Sequence, residues 1–254
     1  MPFLKKTFFK ILGLKNYLRV LHKSFHFMYA NGMLKKDIIY KYHYFDANLI
    51  LPGDTVIDIG ANLGYYTVLF AKWVGPSGKV YAVEPVKPFA DTIRWATGRY
   101  PQITLLNYAL GEEEKEITLA TPDHFGYLRT GLPHVVDDQT AAASEFSFKA
   151  QMKKPGVLFG NLDRIDFIKC DIEGYEEIVL PEMKDILTTH KPLIQVETFG
   201  SHKQKVEDFL KSIGYEVWEL EDNQLKRHEN VLRPNTGDLL FVHLENNKRI
   251  KPFI

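Results

Sequence analysis

The sequence predicts an α/β protein built on a mostly parallel sheet with helices on both faces. Three observations carry that prediction. Strand-like apolar runs alternate with helix-period stretches from residue 54 onward, the pattern of a doubly covered sheet. The first run ends in a glycine turn that leads straight into a helix pattern. The 254 residues suffice for one α/β domain with a full core plus an extension.

Residues 1–45 read as that extension, ahead of a domain over 46–254. Through residue 44 they hold nine Lys or Arg and one acid, Asp37, a balance of +8; the chain is neutral as a whole, so the remainder carries −8. Leu14, Leu18, Leu21, Phe25 and Met28 recur at helical spacing with basic residues between them, which predicts an amphipathic helix. Such a helix either packs over the domain with its lysines in water, or lies on an anionic membrane or acidic partner.

The first strand lies within Asp54-Thr55-Val56-Ile57-Asp58-Ile59-Gly60-Ala61-Asn62-Leu63-Gly64, and a helix follows through Tyr65, Val68, Leu69, Ala71 and Lys72. Strand, glycine turn and helix N-terminus make a nucleotide-type pocket, because free backbone N–H groups and absent side chains let a ligand sit against the main chain. A dinucleotide site needs G-x-G-x-x-G. Here three residues separate Gly60 from Gly64, and an acid, Asp58, sits inside the motif. That suits a ligand carrying an ammonium and a sulfonium better than one carrying pyrophosphate. S-adenosylmethionine is such a ligand.

Downstream, Lys79–Val83 reads as the second strand, closed by Glu84-Pro85, and Pro88–Thr97 as a helix. Ile103–Leu106 is the third strand; Asn107–Gly111 turns the chain into a short strand at Glu116–Ala120. Residues 121–161 carry Pro122, Gly126, Gly131, Pro133, Pro155 and Gly156 among Phe125, Tyr127, Phe146, Phe148, His124 and His134. They read as an irregular connection, and one that long is expected to form a lid or acceptor-binding insertion. Regular structure resumes with strand Asp166–Cys170, a helical stretch Tyr175–Leu187 with Pro181 near its middle, and strand Pro192–Thr198. Helix 202–213 and strands 215–220 and 238–244 complete the domain.

Chemistry concentrates at strand ends. Glu84 lies 20 residues beyond Gly64, where an acid can accept both ribose hydroxyls of an adenosine; it could equally initiate a helix before Pro85. Asn107 either reaches the adenine edge or caps its own turn. Lys169 inside a central strand is costly without a partner, and Asp171 or Glu173 would supply one. Asp171 and Glu173 face the same crevice as Gly60 and Glu84. There they could hold a methionine ammonium, take a proton from an acceptor, or ligate a divalent cation. Glu197 ends the fifth strand beside Phe199, Gly200 and His202, a place for a second acid or a base, with His202 the weaker candidate.

The single cysteine, Cys170, reads as a small buried residue. It excludes an internal disulfide and a cysteine-built zinc site and fits a reducing compartment. With no bilayer-length apolar run and no signal peptide apparent, the cytoplasm is the default location. The −8 balance over the domain argues against a nucleic-acid partner.

At this point D-T-V-I-D-I-G-A-N-L-G-Y-Y-T, V-Y-A-V-E-P, N-Y-A-L-G, I-D-F-I-K-C-D-I-E-G-Y-E and K-P-L-I-Q-V-E together resemble the FkbM family of S-adenosylmethionine-dependent methyltransferases, over about residues 50–200. The resemblance implies the class I methyltransferase fold: a Rossmann-like, seven-stranded sheet whose last strand runs antiparallel, with Pro234–Leu244 as the return. It implies that Asp58, Gly60, Asn62 and Gly64 line the methionine end of the cofactor and Glu84 the ribose, with Asp171 and Glu173 nearest the methyl group. Ala61, Tyr65, Pro85 and Asn107 complete the expected cofactor contacts, which Asp171 also joins. The activity implied is O-methylation of a hydroxyl on a small-molecule or glycan acceptor. Asp171 is the first-choice base, with Glu197, Glu173 and His202 behind it, and a divalent cation on Asp171 is the mechanistic alternative. A nicotinamide-dependent oxidoreductase and a non-catalytic, membrane-associated cofactor-binding protein are the competing classes.

Overall fold

The computed structural model describes residues 2–121, 126–131, 133–198, 202–228 and 237–254. Pro122, His124, Phe125, Phe199, Gly200 and Pro234, singled out above, lie outside them. In chain order the elements are α1 (Pro2–Ala30), α2 (Lys41–Phe45), β1 (Thr55–Ile59), α3 (Tyr65–Val74), β2 (Lys79–Val83), α4 (Lys87–Thr97), β3 (Ile103–Leu106), β4 (Ala109–Leu110) and β5 (Lys115–Thr121). There follow β6 (His134–Val136), α5 (Asp138–Ala143), β7 (Phe146–Lys153), α6 (Pro155–Phe159), β8 (Phe167–Cys170), α7 (Glu176–Glu182), α8 (Lys184–His190), β9 (Leu193–Thr198), α9 (His202–Ser212), β10 (Tyr215–Glu221), β11 (Gln224–Arg227) and β12 (Gly237–His243).

The main sheet has the order β11-β10-β12-β9-β8-β1-β2-β3. Pairs from β9 through β8, β1 and β2 to β3 are parallel, and β12 runs antiparallel to both β9 and β10. The seven expected strands, with the last reversed, are therefore present, and β11 adds an eighth at the edge. Alternating side chains of β1 feed two cores: Ile57 and Ile59 pack with Ile168, Val179 and Phe241 on one face, Val56 with Phe70, Val80 and Phe167 on the other. Both faces are covered, which is why the parallel strands read as largely apolar runs, with Asp58, Lys169, Gln195 and Glu197 among the exceptions.

Residues 121–161 depart from the irregular expectation. β7 pairs with β5 along its whole length, and with β4 and β6 it forms a second, four-stranded sheet. The stretch 175–187 also resolves differently. α7, which contains Pro181, ends at Glu182, and α8 begins at Lys184 beyond the shared cap Met183; the proline supplies no helical N–H next to this break.

α1 bends at Gly13, whose φ of 66° and ψ of 165° are non-helical. Beyond the bend the predicted stripe faces the domain. Leu18 and Phe25 are buried, and Leu14, Leu21 and Met28 are partly so. Of the two readings of this helix, the geometry matches the packed one. No helix among the described residues is long and apolar enough to cross a membrane.

Strand order reverses between β1 and β8, whose last residues Ile59 and Cys170 are register partners. Ligands of open α/β sheets bind outside the strand carboxyl ends at such a switch point.

Candidate active site

Two turns meet at the switch point. Gly60 follows β1 with φ +80°, and a Cβ built there would lie 1.8 Å from the main-chain oxygen of Asp171. The Gly60 and Ala61 N–H groups both donate to the Val83 carbonyl at 3.0 and 2.9 Å, tying the turn to β2. Asn62 takes a left-handed φ of 54° and points its backbone N–H at Glu84 Oε2, 2.7 Å away. The other carboxyl oxygen of Glu84 accepts from Val86 N at 2.8 Å. Glu84 is buried, which pushes its carboxyl up to about 8 despite those two bonds.

The crevice beside these turns has a volume of about 290 Å³. Its wall is polar at Gly60, Asn62, Glu84, Asp171 and Glu173, and apolar at Val86, Phe89, Leu110 and Leu119. Gly131, Pro133 and His134 from the inserted segment also line it. On the β8 side the chain turns through Glu173, a non-glycine residue at φ 56°, and Gly174 at φ 93°. Glu176 braces that turn by accepting from Ile172 N at 2.7 Å. Glu173 is exposed at the mouth of the crevice, and partial desolvation together with the nearby carboxylates of Asp171 and Glu176 raises its carboxyl to about 7. A bulky residue held in the left-handed region at a site mouth is strain that the surrounding structure must maintain.

Beneath the crevice lies a buried ion network. Lys169 Nζ donates to Asp171 Oδ2 at 2.8 Å and sits 4.8 Å from the centre of the Tyr66 ring. Burial alone would lower the Lys169 ammonium, but Asp171, Asp58 and Asp238 outweigh it and raise the pKa. Asp171 runs the other way: burial would raise it, yet Lys169 and a hydrogen bond with Glu197 hold it below its ordinary value. Glu197, partly buried and facing the Asp171 charge, is raised to about 9. Glu197 is therefore the protonated partner of an ionised Asp171. Replacing Lys169 with Met should destabilise the fold by about 3–5 kcal/mol, because it leaves several buried carboxylates without a cation. Chemical denaturation of the variant measures this.

The predicted residues divide accordingly. Gly60, Asn62, Glu84, Pro85, Asp171 and Glu173 converge on the crevice. Asp58 lies below it, accepting from Thr67 Oγ1 at 2.6 Å. Ala61 packs with Ala82 and Ile93. Gly64, at φ 77°, caps α3 against Ile93. Tyr65 turns away to pack against Phe25 of α1, with ring centres 4.4 Å apart in a tilted pair. Asn107 donates to the carbonyls of Glu84 and Pro85 at 2.7 and 3.0 Å, which is the turn-capping alternative. His202 Nδ1 sits 2.9 Å from Glu177 Oε1, with its side chain 45% exposed. The sequence reading missed Asp238, a β12 acid paired in register with Glu197. A polar residue at the start of an otherwise apolar strand was the available signal. As to a cation on Asp171, the Lys169 ammonium already occupies one carboxylate oxygen, and among the described residues no three His, Cys, Asp or Glu groups converge as ligands.

The model of the methyltransferase FkbM domain matches residues 58–217, well over half of the chain. The chain belongs to the FkbM methyltransferase family. Its cofactor is S-adenosylmethionine. A protein-L-isoaspartate O-methyltransferase from Aeropyrum pernix is 33% identical over 73 residues, which are 29% of this chain and 28% of that protein; the chain thus matches little more than a quarter of that relative's length. Among solved structures, methyltransferase FkbM from Methylobacillus flagellatus KT superposes with a TM-score of 0.50 at 18% identity, covering 75% of this chain and 44% of that one. A putative methyltransferase from Streptococcus mutans, solved with SAH, superposes at 0.48 and 12% identity over 81% of this chain and 97% of that one.

The crevice of this FkbM methyltransferase fits the cofactor on its own chemistry. Glu84 is a buried carboxylate that offers acceptors at a β2 terminus, the side chains of Val86, Phe89 and Leu110 are apolar enough to flank an adenine, and Asp171 is an ionised acid suited to an ammonium. In the cofactor-free protein the same carboxyls set a pH dependence. Folded Glu84, Glu173 and Glu197 titrate at about 8, 7 and 9 against an ordinary 4.5, so the folded chain holds extra protons between those limits. Partly buried His26 and buried His43, lowered to about 3 from 6.5, have the opposite sign below pH 6.5. Above 6.5 only the carboxyl excess remains. Stability should therefore fall as pH rises from 6.5 to 9, which melting curves across that range would record; Glu197→Gln should flatten the decline.

Proposed function

We propose that this FkbM methyltransferase methylates a hydroxyl oxygen on a sugar, glycan or natural-product acceptor, with Glu173 as the general base. The single observation that carries the base assignment is the placement of Glu173: on the crevice wall, at φ 56°, with a carboxyl held at about 7. Bound S-adenosylmethionine supplies an electrophilic methyl group on its sulfonium. The protein's part is to orient the acceptor and remove one proton. An aliphatic hydroxyl is a poor nucleophile until its proton leaves as the C–O bond forms, and a base poised near neutrality does this best. Asp171, the first choice from sequence, is a weaker base because Lys169 and Glu197 stabilise its ionised form; its role is to hold the cofactor's ammonium end. Glu84 holds the ribose. Gly131, Pro133 and His134 on the crevice wall support the inserted segment as the acceptor-side wall. The partial relative's name, an O-methyltransferase, also favours oxygen.

Glu173→Gln tests the assignment. Methyl transfer should drop by about 10²–10⁴-fold, the range that a positioned base supplies, with cofactor affinity nearly unchanged. In the wild type the rate should rise through about pH 7 as Glu173 ionises. Full activity in the variant would return the base role to Asp171 or Glu197.

A further inference from the structure

Away from the crevice, α1, α3 and α4 enclose a second cavity of about 510 Å³. It shares no lining residue with the first. Each element contributes a cation: Lys23 from α1, Lys72 from α3 and Arg99 from just beyond α4, beside His22, His26 and Trp95. No carboxylate lines it. Among the described residues no carboxylate forms an ion pair with Lys23, Lys72 or Arg99, and the nearby acid of α4, Asp91, is engaged by Lys87 and Arg94 at 2.7 and 2.6 Å.

Of these three cations, Lys23 is held by an aromatic ring rather than by an acid. The Arg19 guanidinium lies 4.5 Å from the Trp95 ring centre and Lys23 Nζ lies 5.3 Å from it. A π face positions a cation without neutralising it. His22 ties this wall to the glycine turn through Nδ1, 2.8 Å from the Leu63 carbonyl, while both ring nitrogens of His26 are buried without a hydrogen bond. The cavity is thus a concave, acid-free surface with converging nitrogen donors from three elements.

We propose that this cavity binds the phosphoryl group of a phosphorylated ligand through Lys23, Lys72 and Arg99. Ammonium and guanidinium groups arriving from several directions match the oxygens of a tetrahedral dianion, and charge-assisted bonds to phosphate are the strong class. The volume leaves room for the group that bears the phosphate. The depressed His26 titration, caused by burial and then by His22 and Lys72, reports the same positive field. The source is either a soluble phosphate ester or a phosphate-bearing lipid headgroup, which the same experiment distinguishes.

The full chain is titrated with inorganic phosphate and with glucose 6-phosphate while the His22 and His26 ring signals are followed by NMR. Saturable shifts are expected, weakened by added salt. The double variant Lys72→Glu/Arg99→Glu should lose at least about tenfold per removed cation, with S-adenosylhomocysteine affinity unchanged. If that variant does not fold, Lys72→Gln/Arg99→Gln serves with a smaller loss in the same direction. Binding to phosphatidate vesicles beyond phosphatidylcholine ones, lost in the variant, assigns the lipid; phosphate-ester binding without vesicle binding assigns the soluble ligand. No saturable shift, or equal affinity in a folded variant, overturns the proposal.

Discussion

Alanine in place of Gly60 is expected to lower stability by about 3–5 kcal/mol and to eliminate cofactor binding. Two penalties coincide there. The φ of +80° disfavours any side chain, and the added Cβ would meet the Asp171 backbone oxygen at 1.8 Å. A flexible side chain would yield, but here the obstacle is main chain at the end of a central strand. Relief requires β1 and β8 to part where the crevice forms. For a chain of this size each kcal/mol moves the melting temperature by roughly 2–4 °C, so a loss of about 10 °C should appear in calorimetry. Gly75→Ala is the matched control. Its φ is also positive, +65°, but nothing lies within 4 Å of the added atom, so only the backbone cost of about 1–3 kcal/mol is expected. Equal effects at the two positions would show that conformation alone, and not the contact with Asp171, governs the turn.

Glu84→Ala should weaken S-adenosylhomocysteine binding by about 100-fold or more, about 3 kcal/mol. The carboxyl accepts from the N–H groups of Asn62 and Val86 at 2.7 and 2.8 Å, and in the proposed role its remaining lone pairs face the ribose. Its removal costs the ribose contacts and leaves two N–H groups without an acceptor. Glu84→Gln keeps the shape but can accept at one oxygen only, so an intermediate loss is expected. Isothermal titration of the three proteins checks the order, and unchanged affinity in Glu84→Ala would remove Glu84 from the cofactor site.

The main sheet was legible because burial on both faces writes itself into sequence as nearly continuous apolar strands, broken only by Asp58 in Val56 to Ile59 and by Lys169 in Phe167 to Cys170. β7 was equally legible and was passed over: Phe146, Phe148, Ala150 and Met152 alternate with polar residues at the period of a strand. The prolines and glycines on either side drew attention to turns instead. β11 offered less. Leu225 is its one buried residue, flanked by Gln224, Lys226 and Arg227, and only Asp222-Asn223, both at positive φ, marked the two-residue turn before it.

In the site, residues local to the glycine turn and to β2 could be placed because sequence neighbours become spatial neighbours across adjacent parallel strands. The roles of Asp171, Glu173 and Glu197 could not be separated that way. Their titrations are set by burial, by Lys169 and by one another, with Asp238, remote in sequence but paired in register with Glu197, acting on Glu197. Helix α1 shows the same limit. Its amphipathic stripe was visible, but whether protein or membrane covers that stripe depends on α3, α4 and the second sheet being in place.

The most direct test of methyl transfer to oxygen at this crevice follows a carbon-13 methyl label from S-adenosylmethionine into a pool of sugar, glycan and small-molecule acceptors. Wild-type protein should produce carbon-13 signals in the methoxy region, and Glu173→Gln should bind the cofactor yet produce almost none. Label arriving on nitrogen, carbon or sulfur, or an equal methoxy signal from the variant, would contradict the account.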